Sequence, residues 1–398
     1  MKMIISRKIR NITLCLFVLL LGIGVGLLIK GSGSDLDRKL APSENPIKVG
    51  VLLAMDGRGA DLGQSIEKGI RLAQSQTPTI LGRPIELIVF DNKGDAKLAA
   101  TLAKELIKEH EVACIIGSNS SDIALAVAKV AERYGVPLLV PSATNPQITE
   151  GKEFVFRACF VDTFQGSAAA FYAVRDLASK KAAIIVEEDD LYSDGLAKTF
   201  EENYIRRGGK VLERLEYERD DKNFAPLLKK AMESGVDLLY MPAHCDDGIQ
   251  ILIQASDMGA DFKILSSDAI QKSDLAKVAS VALKDFYFTT FAYSPNMSQN
   301  LIRQKQKVFN ALWQKSYSKE TPNAFCAMGF DSYNLMLTAI KKSGTAERDE
   351  IRKSLEGIEF DGITGKLKMD KFHNAEKPVG IAKIVSGREK IIAIVEKK

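Results

Sequence analysis

Ile47-Lys-Val-Gly-Val-Leu-Leu-Ala54 is an almost unbroken apolar run that ends at Met55-Asp-Gly57, and helical spacing follows from Gly63 to Gln76. Apolar residues without alternation predict a strand covered on both faces, as in a parallel sheet. The unit recurs. Strands are predicted over 85–90, 112–116 and 137–140, with helices over 95–109 and 121–134. The rhythm restarts after Phe164, with strands over 182–186, 211–217, 236–241 and 263–265. Its helices fall over 194–207, 223–234, 247–258 and 273–278. A strand at 286–291 precedes longer helices at 299–317 and 323–342, then short strands near 365–369 and 382–395. Two successive βα series with a mixed tail predict an α/β protein of two doubly wound parallel-sheet lobes, the chain crossing between them more than once.

The chain has 398 residues, 46% hydrophobic and 27% charged, which suits two globular domains. Its formal charge is +4, but Lys2, Arg7, Lys8, Arg10 and Lys30 all lie within residues 1–34, which hold no acid. The remainder is close to neutral, so a basic face for nucleic acid is not expected. Those first residues read as a targeting element: a basic start, the uncharged run Ile12 to Ile29, then Gly31-Ser-Gly-Ser34. Two outcomes stay open, a signal peptide cut near Gly33 or Ser34 and a retained membrane anchor. Both export the rest of the chain, because the positive flank stays in the cytoplasm. Residues 35–46 are polar and proline-punctuated, a linker. Cys15 follows bulky Leu14, which argues against lipid attachment. Cys114, Cys159, Cys245 and Cys326 lack metal-site spacing, and Cys114 reads as a small buried hydrophobe.

In open parallel sheets ligands bind beyond the carboxyl ends of strands. Ile116-Gly-Ser-Asn-Ser-Ser-Asp122 leaves a strand and opens a helix, so Ser121 and free backbone N–H groups can hold an anion; the alternative is simple helix capping. Val140-Pro-Ser-Ala-Thr-Asn-Pro146 offers Ser142 and Thr144 in the next loop, or an ordinary turn. Asp268 follows a strand of the second series, placed either to meet an ammonium or to sit in solvent. Tyr192, in Asp190-Leu-Tyr-Ser-Asp-Gly195, covers a ligand or packs. Hydroxyls in one half and a carboxylate in the other suit a zwitterion held across a cleft. Catalytic signals are weak. The three histidines, His110, His244 and His373, are far apart, and Gly57-Arg-Gly59 stops short of a dinucleotide fingerprint. Asp189, Asp190, Asp246 and Asp247 are expected to be solvated turn acids and not metal ligands.

From Ile47 to the C-terminus the chain resembles the Leu/Ile/Val-binding family of periplasmic solute-binding proteins, of type I fold, which serve ABC importers. The segments that carry this are Ile47-Lys-Val-Gly-Val, Gly82-Arg-Pro-Ile-Glu-Leu, Ile116-Gly-Ser and Pro141-Ser-Ala-Thr-Asn-Pro. Phe156-Arg, Gln165-Gly, Tyr192-Ser-Asp-Gly-Leu-Ala and Asn223-Phe-Ala-Pro-Leu-Leu continue the series in order. The resemblance implies that Ser121 and Thr144 hold a ligand α-carboxylate. It implies that Asp268 and the Ser142 carbonyl hold the α-ammonium, with Tyr192 in contact. Three positions depart from the pattern: Leu62 stands where an aromatic often lines the side-chain pocket, His244 stands at a usually aromatic position, and Met55-Asp-Gly57 replaces Ser or Thr before Gly. These departures open the pocket to a polar or larger side chain, with His244 and either Asp56 or Asp246 facing it.

The expectation is therefore an exported, non-enzymatic binding protein that delivers an amino acid, branched-chain or related, to an ABC permease of the inner membrane. No cofactor, metal or nucleic acid is implied. One lobe is expected to comprise 47–163 and 291–374, the other 164–290 and 375–398. The hinge falls near Val161–Phe164, Thr290–Phe291 and His373–Lys377. The rivals are a membrane-tethered sensor and an exported α/β enzyme acting on small acids.

Overall fold

Strands of this chain divide their side chains between two apolar layers, and that division builds the fold. The computed structural model describes residues 45–271, 275, 285–297 and 302–397. The leader, nearly all of the linker and, apart from Leu275, the helix predicted over 273–278 lie outside them.

The first sheet contains β1 (Ile47–Leu53), β2 (Thr79–Ile80), β3 (Arg83–Asp91), β4 (Cys114–Gly117), β5 (Leu138–Val140) and β6 (Val155–Arg157), in the order β2-β3-β1-β4-β5-β6. On β1, Val49, Val51 and Leu53 enter one apolar cluster while Leu52 enters another. β4 and β5 split the same way, Ile116 and Leu139 facing the first cluster and Ile115 and Leu138 the second. Both faces are buried, which is why the strands read as continuous apolar runs. Helices α1 (Ala60–Gln76), α2 (Ala96–Lys108) and α3 (Ser121–Tyr134) connect them.

After α4 (Asp162–Arg175) the second series supplies β7 (Lys181–Glu187), α5 (Leu191–Arg206), β8 (Lys210–Tyr217), α6 (Ala225–Glu233), β9 (Leu238–Met241), α7 (Cys245–Asp257), β10 (Lys263–Ser266) and β11 (Phe286–Phe291). The chain then forms α8 (Gln304–Ser316), α9 (Ala324–Ser343) and α10 (Arg348–Leu355). A small antiparallel sheet of β12 (Glu359–Gly362), β13 (Gly365–Met369) and β14 (Ala375–Glu376) comes next, and the chain ends with β15 (Val379–Val385) and β16 (Arg388–Val395). The second sheet runs β16-β15-β11-β10-β9-β7-β8, parallel from β11 to β8 and antiparallel where β15 pairs with β11 and β16.

The predicted strand and helix series stands, with bounds shifted by a few residues. α4 is absent from the expectation. Its residues Gly166, Ala168, Ala169, Ala170, Tyr172 and Ala173 are all buried, so it lacks the polar face that marks a surface helix. α10 and the short strands β2, β6, β12 and β14 are likewise additions to it; most are too short to show a period.

α1 and α9 cross with their backbones in contact. A Cβ built on Gly69 would lie 2.0 Å from the Cys326 carbonyl oxygen, and one on Gly329 would lie 2.0 Å from that of Ile66. Nothing flexible can yield at either place. Gly69→Ala is expected to cost about 2 kcal/mol through overpacking, read as a lower urea midpoint at unchanged slope.

Candidate functional site

In each sheet the chain reverses its winding once, between β1 and β4 in the first and between β7 and β9 in the second. Loops leaving the carboxyl ends of strands diverge at such points and leave a crevice. All seven residues singled out from sequence lie on or just beyond these loops.

Three loops of the first sheet are tied together by Asn119. Its Oδ1 accepts from the Ala54 amide (2.9 Å), its Nδ2 donates to the Gly59 carbonyl (3.1 Å), and its carbonyl accepts from Ser142 Oγ (3.4 Å). Ser121 is the first residue of α3 and is buried. It does not cap the helix; its Oγ accepts from the Asn145 amide (3.4 Å), and Ser120 at the cap position makes no side-chain capping bond. The Thr144 hydroxyl is buried with no hydrogen-bond partner. The buried Arg157 guanidinium fixes this loop by donating to the carbonyls of Ala143 (3.1 Å) and Asn145 (2.7 Å).

Opposite these hydroxyls lie carboxylates. The Tyr192 hydroxyl donates to Asp268 Oδ1 (2.8 Å) and lies 2.7 Å from Ser267 Oγ. Gln165 Nε2, from α4, donates to the same Asp268 oxygen (2.6 Å) and to Thr289 Oγ1 (2.7 Å). Asp268 is 3% exposed, so it is neither a solvated acid nor a cap. Burial raises its pKa, against the bonds from Gln165 and Tyr192. Asp162 is 0% exposed, its carboxyl lies beside the Thr144 hydroxyl, and no cation among the described residues bonds it. Burial pushes its carboxyl up to about 7; the Asp268 charge adds to this, and nearby Thr144 and Arg157 oppose it. Its amide donates to the Thr144 carbonyl (3.0 Å), which joins the hydroxyl side of the site to the carboxylate side.

Above Tyr192 the walls become charged. Its ring lies 5.3 Å from that of His244, whose Nε2 is 3.2 Å from Asp190 Oδ2. Burial alone would raise Asp190, but the His244 ring, the Ser193 amide and Arg58 outweigh it and hold the acid down to about 2. Arg58, from the loop after β1, grips buried Glu187 with both terminal nitrogens, and Arg219 Nε reaches the same carboxylate (2.9 Å). Of the four turn acids expected in solvent, Asp189 and Asp246 are exposed, whereas Asp190 and Asp247 are buried. Asp190 owes its burial to capping α5, where it accepts from the Ser193 amide (2.7 Å). Asp247 lies 3.7 Å from Arg58. Asp56 is exposed and turns back on the Gly57 amide, so Asp246 is the one that reaches the cavity. That cavity, about 400 Å³, is also bordered by Leu62, His244 and Ala269. Among the described residues, Glu187, Asp190 and His244 hold ligand atoms within 4.8 Å of one another. Glu187 is already held by Arg58 and Arg219, and His244 and Asp190 meet each other.

A family model described as periplasmic binding protein matches residues 46–389. The chain belongs to that family. It is similar to Leu/Ile/Val-binding protein homolog 1 of Brucella suis, 25% identical over 83% of this chain and 88% of that one. Among solved structures it is similar to the leucine binding protein LivK of Thermotoga maritima, with TM-score 0.83 and 30% identity over 88% and 99% of the two chains. The isoleucine complex of LivJ, a branched-chain amino acid transporter substrate binding protein from Streptococcus pneumoniae, gives TM-score 0.81 and 27% identity over 89% and 100%. The family and fold are those of solute-binding proteins of ABC transporters.

In this periplasmic binding protein the sequence-selected Tyr192 touches both His244 and Asp268, and Thr144 lies beside Asp162, whose carboxyl feels the Asp268 charge. Leu62 shares the cavity wall with His244. The sequence reading missed Asp162, Gln165, Arg58, Glu187 and the burial of Asp190. Only Gln165-Gly carried any signal, as a family segment.

The folded-state pKa of Asp162 lies above its unfolded value, so between about pH 4 and about 7 the folded chain holds a proton that the unfolded chain has lost. Its contribution to stability is full below pH 4 and falls as pH rises through 7. Unliganded Asp162→Asn is therefore expected to be more stable than the parent at pH 8, by on the order of 3 kcal/mol, with the gap closing toward pH 4. Urea titrations at the two pH values measure it.

Proposed function

We propose that this protein is exported, captures an α-amino acid between its two sheets, and presents the closed complex to an ABC permease in the inner membrane. The observation that carries this is the dipolar character of the buried site. Buried hydroxyls and a helix start lie beside two buried carboxylates that no cation among the described residues bonds.

Ser121 Oγ, Thr144 Oγ1 and the first amides of α3 receive the ligand carboxylate, where the helix dipole favours negative charge. Asp268, the Ser142 carbonyl and Asp162 receive the ammonium. Tyr192 closes over it while holding Asp268 in place. A buried carboxylate with no partner costs free energy that a ligand ammonium recovers, so the empty site selects for one. The lobes of this reading are 47–163 with 291–374 and 164–290 with 375–398. They hinge at 161–164, 290–291 and 373–377. Relatives named for Leu/Ile/Val binding and an isoleucine complex of the same fold support an amino acid as cargo. Membership of a periplasmic family supports export. No helix among the described residues is long and apolar enough to cross a membrane. One rival has support of its own. The uncharged run Ile12–Ile29, if retained, would make the protein a tethered sensor, and the N-terminal sequence of the mature protein decides between the two.

The test is a thermal-shift panel of the twenty amino acids on the mature protein. A ligand at about 1,000 times its Kd adds about 4 kcal/mol to apparent stability. Asp268→Asn should weaken binding by at least about 2 kcal/mol, because the ammonium loses its charged partner. The reading fails if no amino acid shifts the melting temperature of the parent protein.

A further inference from the structure

The wall that meets the ligand's side chain is ionic. Arg58–Glu187–Arg219 and Asp190–His244 form one continuous belt, with Arg219 3.8 Å from Asp190 and Arg58 3.7 Å from Asp247. It stands directly above Tyr192, whose ring faces His244 at 5.3 Å. The cavity bordered by this belt is about 400 Å³, within the range of small-molecule sites, and it approaches the amino-acid grip at Ala269, whose amide donates to the Tyr192 hydroxyl (3.3 Å). Ala60, Leu62 and Ala269 give it an apolar side, and Arg58, Arg219, Lys222, His244, Asp246 and Asp247 give it a polar one.

We propose that the ligand is an α-amino acid whose side chain is polar and longer than a branched aliphatic one, its end hydrogen-bonded to the belt at His244 and Arg58. This rests on the amino-acid reading above and names the class within it. An aliphatic side chain would strip water from the guanidinium, imidazole and carboxylate groups and return no hydrogen bond. It would also leave most of the cavity unfilled. A polar end group replaces the water it displaces, while its methylene stem covers Leu62 and Ala269. The ring of His244 has spare capacity for this. With Nε2 engaged by Asp190, Nδ1 has no partner among the described residues and remains available to the ligand. Arg58 likewise keeps its Nε after both terminal nitrogens reach Glu187. Neither group can turn away, because each is held by a buried carboxylate.

Isothermal titration of the full mature protein with Gln, Glu, Asn, Asp, Lys, Arg and His, beside Leu, Ile and Val, tests this. At least one polar amino acid should bind about tenfold tighter than the best aliphatic one, or about 1.4 kcal/mol. His244→Leu should reduce that ratio by about fivefold or more, and Arg58→Met serves if the first variant does not fold. Tightest binding of Leu, Ile or Val overturns this inference and leaves the amino-acid reading standing. An unchanged ratio in a folded variant also overturns it. If no amino acid binds, both fall together.

Discussion

Asp268 and Asp162 are carboxylates enclosed in protein, and among the described residues no cation bonds either one. Asp268 is met by two neutral donors, Gln165 and Tyr192, and Asp162 lies beside the neutral Thr144 hydroxyl. Burial at this depth disfavours charge strongly unless something restores it. Much of the surrounding architecture follows from tolerating these groups. α4 begins at Asp162 and delivers Gln165 one turn later to Asp268. Arg157 lies within electrostatic reach of Asp162, yet its hydrogen bonds go to carbonyls of the Thr144 loop. The guanidinium therefore softens the local field without neutralising the acid. The site stays short of one positive charge, which is the condition for a cationic group on a ligand to be worth more here than in water.

The fold makes such a site tolerable. β1, β4, β5, β7, β9 and β10 each bury both faces, and one large apolar cluster includes residues from both sheets. Backbone contact between α1 and α9 at Gly69 and Gly329 locks the helix that follows β1. The loops at the carboxyl ends are thus held from below by elements that cannot shift independently. Asn119 then couples three of them to one another. A polar constellation in a low-dielectric interior needs this rigidity, since a small displacement would leave more groups unpaired.

The sequence announced the sheet because parallel strands buried on both faces leave long apolar runs, and Ile47–Ala54 needed no partner to be recognised. α4 was silent because a helix buried on several sides loses its amphipathic stripe. The positions of Ser121, Thr144, Tyr192 and Asp268 at the carboxyl ends of strands were legible, because each follows an apolar run. The belt was not. Arg58 and Glu187 stand far apart in the chain and meet only because two switch points face each other. Asp190 reads in sequence as one of two adjacent turn acids; its burial depends on capping α5 and on His244, a residue of another loop. Asp162 gives no local sign of being unpaired, because that property belongs to its surroundings.

In the proposed reading, grip and selection are physically separate. The hydroxyls, the start of α3 and the two carboxylates would act on the group that every α-amino acid shares, so they would set a common floor of affinity and discriminate nothing among side chains. Discrimination would then come from what differs between ligands, and in that reading it falls to Leu62, His244 and the Arg58–Glu187 pair. An apolar pocket separates neighbouring side chains only weakly, whereas a wall of buried hydrogen-bonding groups strongly rejects a side chain that cannot answer them. On that reading, His244 and its buried Asp190 partner, at a position the family resemblance gives to an aromatic, would change the means of selection, from a shape filled by hydrocarbon to a set of polar groups that must each be matched.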